Sequence, residues 1–221
     1  MTNYTYNVDK MYTYLRGFLI GANMTESLKA LQFAREKHKG QLRKNGVPYI
    51  VHPLSMACYA IALEIRDDNI IATILLHDVC EDCDVPLSGL PVNDIIKRGV
   101  KYMTITKYET DNSKIETKRR YFNELLESRE SLICKAIDRY MNLSDMPFAL
   151  GADAIGKNCA ETEVLLLPVL KLGKEKWCDL SNALFVLRTN IRTLNDILKL
   201  HYDKAYEKHY ALYAEGKADE V

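Results

Sequence analysis

The chain has 221 residues, thirty basic against thirty acidic side chains, a formal net charge of zero and 48% hydrophobic residues. That length holds one domain with a single core, or a domain plus an appendage, and excludes several catalytic modules side by side. The charge balance excludes a general attraction to nucleic acid or to an anionic membrane, leaving local basic pockets as the only anion sites to look for.

Residues 25–39 read as a helix with Thr25 as its cap, Leu28, Leu31, Phe33 and Ala34 as apolar positions and Gly40 as its stop. Residues 41–50 collect turn formers and bases (Arg43, Lys44, Asn45, Gly46, Pro48), which predicts a loop or short extended segment. Pro53 suits the first turn of a helix running to Ile65. Asp67 or Asp68 can cap a further helix over 69–82, whose apolar side holds Ile70, Ile71, Ile74, Leu75 and Val79. Pro86, Gly89 and Pro91 mark a loop, and 92–98 reads as a short helix ended by Gly99. The polar segment 108–113 is expected to be exposed. Helices follow over about 114–127 and 131–146, and a long one from about 179 to 201 or beyond. Pro168 and Gly173 interrupt the apolar pattern of 152–177, which leaves that region's fold open.

Strand signals are few and no internal repeat is present, so the expected fold is all-α and compact, in a single domain. Its main body is placed at 25–205, with a peripheral N-terminal helical extension at 1–24 and a tail at 206–221. No basic-apolar-small leader and no bilayer-length apolar run stands out, so a cytoplasmic location is expected, with no membrane and no nucleic-acid partner. Six scattered cysteines in a chain of this size read as reduced thiols. Cys80 and Cys83 form a single CxxC, for which a redox or zinc role is the alternative.

The strongest local feature is LLHDVCEDC at 75–83, where acids and a histidine follow directly on an apolar helix. On a continuous helix His77 and Glu81, like Asp78 and Asp82, share nearly one face. His77 and Asp78 then suit a metal approached from one side, while Glu81 and Asp82 suit the handling of water and protons. The alternative is a solvated acidic helix end, although acids at a helix C-terminus oppose its dipole and call for a cation. His52, just before Pro53, is either a ligand or a packing or capping histidine. Asp138 and Asn142 lie one turn apart in IDRYMN, and a carboxylate near a core wants a cation, for which Arg139 is a candidate beside a metal.

The stretches ALQFAREKHKGQLRKNGVPYIVHP and ATILLHDVCEDC, in this order, resemble the hydrolase domain of the RelA/SpoT family within the HD superfamily, and most of all its free-standing small alarmone hydrolases. The resemblance covers about residues 25 to 145. It implies the helical HD-domain phosphohydrolase fold, with His52, His77, Asp78 and Asp138 as metal ligands for Mn²⁺ or another divalent metal. It implies Glu81 and Asp82 as the water-activating pair, and Arg43, Lys44, Tyr49 and Asn142 at the guanine nucleotide. Tyr121 and the basic residues of 114–120 are weaker candidates on the phosphate side. Met141 stands where the family often has histidine and Cys83 where it usually has threonine, and NLSDM departs from the NMRT-like sequence of the bifunctional enzymes. These departures bear on substrate fit and on the surroundings of the ligands. No segment is expected to supply the family's synthetase and regulatory domains.

The resemblance thus implies hydrolysis of the 3′-pyrophosphate of guanosine tetra- or pentaphosphate. The alternatives are an HD-domain phosphohydrolase for another nucleotide or phosphorylated metabolite, and a non-catalytic nucleotide-binding regulator. Oligomeric state stays open.

Overall fold

The computed structural model describes residues 7–104 and 114–215, which omits the polar segment expected at 108–113 and the end of the expected tail. Among the described residues the fold is all-α: no strand forms, and Leu42 and Pro48 make one isolated antiparallel bridge. No helix among them is long and apolar enough to cross a membrane. The chain divides into two compact units, residues 1–104 and 105–221.

The first unit contains α1 (Val8–Gly21), α2 (Thr25–Lys37), α3 (Val51–Ala62), α4 (Asp68–Leu76), α5 (Val79–Asp82) and α6 (Asp94–Met103). Its centre is α4, in which every residue from Ile70 to Leu76 is buried. A helix apolar all round must be surrounded, and α2, α3 and α6 all pack against it. Each fully buried Ile or Leu contributes about 1.5–3 kcal/mol, so this short segment is a rigid base for whatever follows it. The N-terminal segment expected at the periphery adds α1, which buries Leu15 and Leu19 completely and lies against α2 and α3.

Two neighbouring aspartates cap two different helices. Asp67 caps α4, its carboxylate accepting from the amides of Asn69 (2.9 Å) and Ile70 (3.1 Å). Asp68 turns the other way and accepts from the first-turn amides of α2, Glu26 (2.9 Å) and Ser27 (2.7 Å), and from the Ser27 hydroxyl (2.6 Å). Thr25, expected as the α2 cap, is the first helical residue instead, and Met24 at the cap position has no side-chain hydrogen bond. Asp68 thereby ties the start of α2 to the start of α4.

Two helix boundaries differ from expectation. The helix expected over 69–82 breaks after Leu76: Asp78 takes φ −101° and ψ −4°, and α5 restarts at Val79. The helix α6 passes through Gly99 to Met103, because Ile96, Gly99, Val100 and Met103 form its buried stripe and packing outweighs glycine's poor propensity.

The second unit contains α7 (Lys114–Glu124), α8 (Arg129–Ala149), α9 (Ala152–Glu161), α10 (Leu167–Lys176), α11 (Ser181–His201) and α12 (Asp203–Glu215). The region left open by the sequence is helical throughout, with α9 leading into α10 through a π-helical turn at Thr162–Leu166. Pro168 is tolerated because it stands in the first turn of α10. Gly156 is required by close packing, since a Cβ there would meet the backbone of Ala205 at 2.4 Å, while one at Gly173 would push aside the end of the Leu132 side chain.

Four helices of this unit meet at one buried acid. Glu161 on α9 accepts from Arg139 on α8 (2.5 Å), from Lys118 on α7 and from the Tyr213 hydroxyl on α12 (3.3 Å). Burial alone would raise the Glu161 carboxyl, but Arg139 and Lys118 hold it down at about 2, against an ordinary 4.5. A depressed carboxyl stabilises the fold above its unfolded-state pKa and loses that contribution as pH falls through the folded value. Glu161→Gln therefore should cost about 3 kcal/mol near neutrality and flatten the stability loss between pH 4.5 and 2, as read by urea melts across that range.

Candidate metal centre

The rigid end of α4 presents His77. The ring is buried, with 2% of the residue exposed, and its Nδ1 lies 2.8 Å from the carbonyl oxygen of Ile74. A carbonyl only accepts, so Nδ1 carries the proton and the neutral imidazole keeps its lone pair on Nε2. That Nε2 stands 2.9 Å from Asp78 Oδ2. Two acceptors at this distance repel unless a positive charge serves both, either a proton on the ring or a metal ion. The backbone break after Leu76 aims the Asp78 carboxylate back at the ring that precedes it.

His52 comes from the first turn of α3, where the missing N–H of Pro53 falls among amides that have no intrahelical acceptor. It is buried, its ring centroid is 5.4 Å from that of His77, and a ligand nitrogen of each lies within 4.8 Å of the other. The two imidazoles supply nitrogen donors, and Asp78 places a carboxylate oxygen beside one of them, donor types that borderline divalent metals favour.

Around them stands a set of groups of which the sequence revealed only part. The Tyr49 hydroxyl, expected at the nucleotide, donates to Asp78 Oδ2, and burial followed by the Asp78 charge holds the phenol well above its usual range. His38 stacks on Tyr49 with centroids 4.7 Å apart. Its Nδ1 is 2.7 Å from Gln41 Oε1 and 3.4 Å from Cys83 Sγ, and burial draws it below 6.5. Gln41 in turn donates to the Asp82 carbonyl at 3.0 Å, fastening the 41–50 loop to the end of α5. His38 and Gln41 were missed; the available signal was HKGQ at the point where a helix meets a basic loop.

Glu81 and Asp82 are exposed, whereas His77 is buried and Asp78 half-buried. Asp78 and Asp82 stay one helical turn apart, the Asp82 amide donating to the Asp78 carbonyl at 2.8 Å, and both carboxylates bear on Tyr49. Arg43 and Lys44 sit on a tight turn closed by hydrogen bonds between Arg43 and Val47 (2.8 Å) and Gly46 and Arg43 (2.8 Å), with Gly46 at φ +80°. Cys80 and Cys83 are free thiols, burial pushes Cys80 up to about 11, and among the described residues no metal-ligand cluster contains a cysteine.

In the second unit, Asp138 is buried on α8 and held by two neighbours on its own helix. Lys135 Nζ is 3.0 Å from Oδ2, and the Asn142 amide donates to Oδ1 at 2.6 Å. Burial lowers the Lys135 ammonium, and the Asp138 charge more than reverses that. Arg139, the cation considered for Asp138, is committed to Glu161; Lys135 has that role, one helical turn before its partner. Asn142, expected at the nucleotide, orients Asp138. Tyr121 is buried edge-on to Phe122, and Lys118 serves Glu161, so neither is presented as a surface phosphate contact.

The profile of the HD domain family matches residues 30–146, more than half of the chain. The chain belongs to the HD domain family. Within the HD domain it is 33% identical over 127 residues to a guanosine-3′,5′-bis(diphosphate) 3′-pyrophosphohydrolase of Aquifex aeolicus, which covers 55% of this chain and 18% of the relative. A protein of the same name from Spiroplasma citri is 29% identical over 133 residues, 58% of this chain and 18% of the relative. A probable GTP pyrophosphokinase of Mycobacterium leprae is 28% identical over 163 residues, 71% and 20%. The chain spans about a fifth of the length of these relatives. The RelA/SpoT resemblance read from the motifs is met by these similarities.

Groups that hold a metal ligand in place typically govern affinity by 10- to 100-fold. If a divalent cation is bound here, Tyr49→Phe, which removes only the hydroxyl on Asp78, should weaken its binding by about that factor, read with Mn²⁺ as the probe, while leaving the thermal melt of the metal-free protein within a few degrees. Calorimetric titration with Mn²⁺ reads the first, and circular dichroism the second.

Proposed function

We propose that this HD-domain chain is a metal-dependent phosphohydrolase that removes the 3′-pyrophosphate of guanosine tetra- or pentaphosphate, releasing pyrophosphate and GDP or GTP. The observation that carries the reading is His77 Nε2 facing Asp78 Oδ2 at 2.9 Å beside the buried His52, an arrangement that asks for a cation, in a chain of the HD domain family. The relatives' names support the substrate, as does the basic turn of Arg43 and Lys44.

In this reading His52, His77, Asp78 and Asp138 hold a divalent cation, Mn²⁺ being suited to two imidazoles and two carboxylates. Such an ion supplies a bound water of lowered pKa and charge for a phosphoryl oxygen. The chain's own groups do the rest. Tyr49 donates to Asp78 and keeps that carboxylate turned toward His77. Lys135 and Asn142 hold the two carboxylate oxygens of Asp138 in place. Glu81 or Asp82, exposed beside the ligands on α5, accepts the proton of the attacking water. The hydroxyl joins phosphorus, the bond to the ribose 3′-oxygen breaks, and that oxygen takes up a proton from solvent, to which the carboxyl returns the one it accepted. Arg43 and Lys44 bind the nucleotide's charge or stack on its base, a role in which Arg and Lys are poor substitutes for each other.

A second reading keeps the metal chemistry and changes the substrate to another nucleotide or phosphorylated metabolite. Met141 and Cys83, which depart from the family pattern, favour it.

Incubation of the purified chain with Mn²⁺ and guanosine tetraphosphate, with pyrophosphate release measured, tests the proposal. Turnover at least about 10²-fold above the Asp78→Ala variant is expected. Release no faster than in that variant contradicts it, and faster turnover of a simple monoester across a small phosphoester panel supports the second reading.

A further inference from the structure

Beyond residue 146, outside the part matched by the HD domain family, the second unit has a groove of about 460 Å³ between α10 and α11. That volume is in the range of small-molecule sites. Its cations are Lys171 from α10 with Arg188 and Arg192 from α11; its acids are Glu163 and Asp196. The acids are already answered: Lys199 bridges them, 2.6 Å from Glu163 Oε2 and 2.8 Å from Asp196 Oδ1, and the Tyr206 hydroxyl donates to Glu163 at 3.0 Å. Lys171 and Arg192 form no ion pair among the described residues.

Arg188 is held in place, its Nε donating to the Leu167 carbonyl at 3.3 Å. Burial and then the charge of Arg192 draw its guanidinium below the usual range, so two like charges one helical turn apart repel each other here. A helix has other positions for solubilising charge, and surface solvation alone gives no reason to gather three cations around one concavity. An anion bearing several charges relieves the repulsion and suits two guanidinium forks that grip phosphate oxygens in pairs. Leu167 and Pro168 complete the wall with apolar surface.

We infer that the groove between α10 and α11 binds a small molecule bearing a diphosphate, the phosphates held by Lys171, Arg188 and Arg192. This site needs no divalent metal and is independent of the hydrolytic reading.

Calorimetric titration of the full chain with inorganic pyrophosphate, in EDTA, tests it. One metal-independent site per chain is expected, at least tenfold weaker in Arg188→Gln/Arg192→Gln and changed less than threefold in Arg43→Gln/Lys44→Gln. The exposed Arg192→Gln alone, with an unchanged circular dichroism melt, should still weaken binding severalfold, which keeps the test decisive if loss of Arg188 disturbs the Leu167 backbone. Absence of metal-independent binding, equal affinity in the α11 variants, or loss of binding in the Arg43/Lys44 variant overturns the inference.

Discussion

A carboxylate taken out of water must have positive charge or donors beside it, because ion desolvation costs several kcal/mol even after relaxation. Three acids in this chain meet that demand differently. Glu161 has two cations of its own, Arg139 and Lys118, and it serves as a joint for α7, α8, α9 and α12. Asp138 has Lys135 and Asn142, both on its own helix α8. Asp78 has a tyrosine hydroxyl and, on its other side, the lone-pair nitrogen of His77. The first acid is satisfied structurally. The third is arranged so that a proton or a metal ion completes it, and this difference separates the architecture from the chemistry.

The packing of the first unit serves that arrangement. A wholly buried α4 fixes the point from which His77 leaves, the Ile74 carbonyl selects its tautomer, and Asp68 clamps α2 to the same helix. The loop after α2 returns Tyr49 and His38 to the carboxylate, so the basic turn of Arg43 and Lys44 is carried on a segment anchored at both ends of the centre. In the proposed reaction this links substrate charge to ligand position through one short piece of chain.

Much of this was legible in the sequence where the signal is local. His77 and Asp78 stood out because acids follow an apolar run directly, His52 because a proline fixes the helix after it, and Asp67 because a cap precedes its helix. The unread parts rest on contacts with no fixed spacing. Asp68 caps a helix some forty residues earlier, and Gly99 continues a helix because its face is buried. Pro168 stands in the first turn of α10, which a π-helical turn that no residue type announces leads into. Family resemblance places Tyr49 and Asn142 near the site, but the carboxylates their side chains bond to are set by contacts across the fold that no spacing announces. Lys135 escaped notice because Arg139, the obvious neighbour of Asp138, was taken by a distant acid.

The central claim of the proposed function is a single divalent metal held by His52, His77, Asp78 and Asp138. Titrating chelator-treated protein with Mn²⁺ and following the electron paramagnetic resonance signal of the free ion measures it directly. The account predicts one Mn²⁺ per chain, with binding lost in His77→Ala and weakened at least tenfold in Asp138→Asn, both variants keeping their helical circular dichroism. Mn²⁺ bound as tightly by both variants as by the unmodified chain contradicts it.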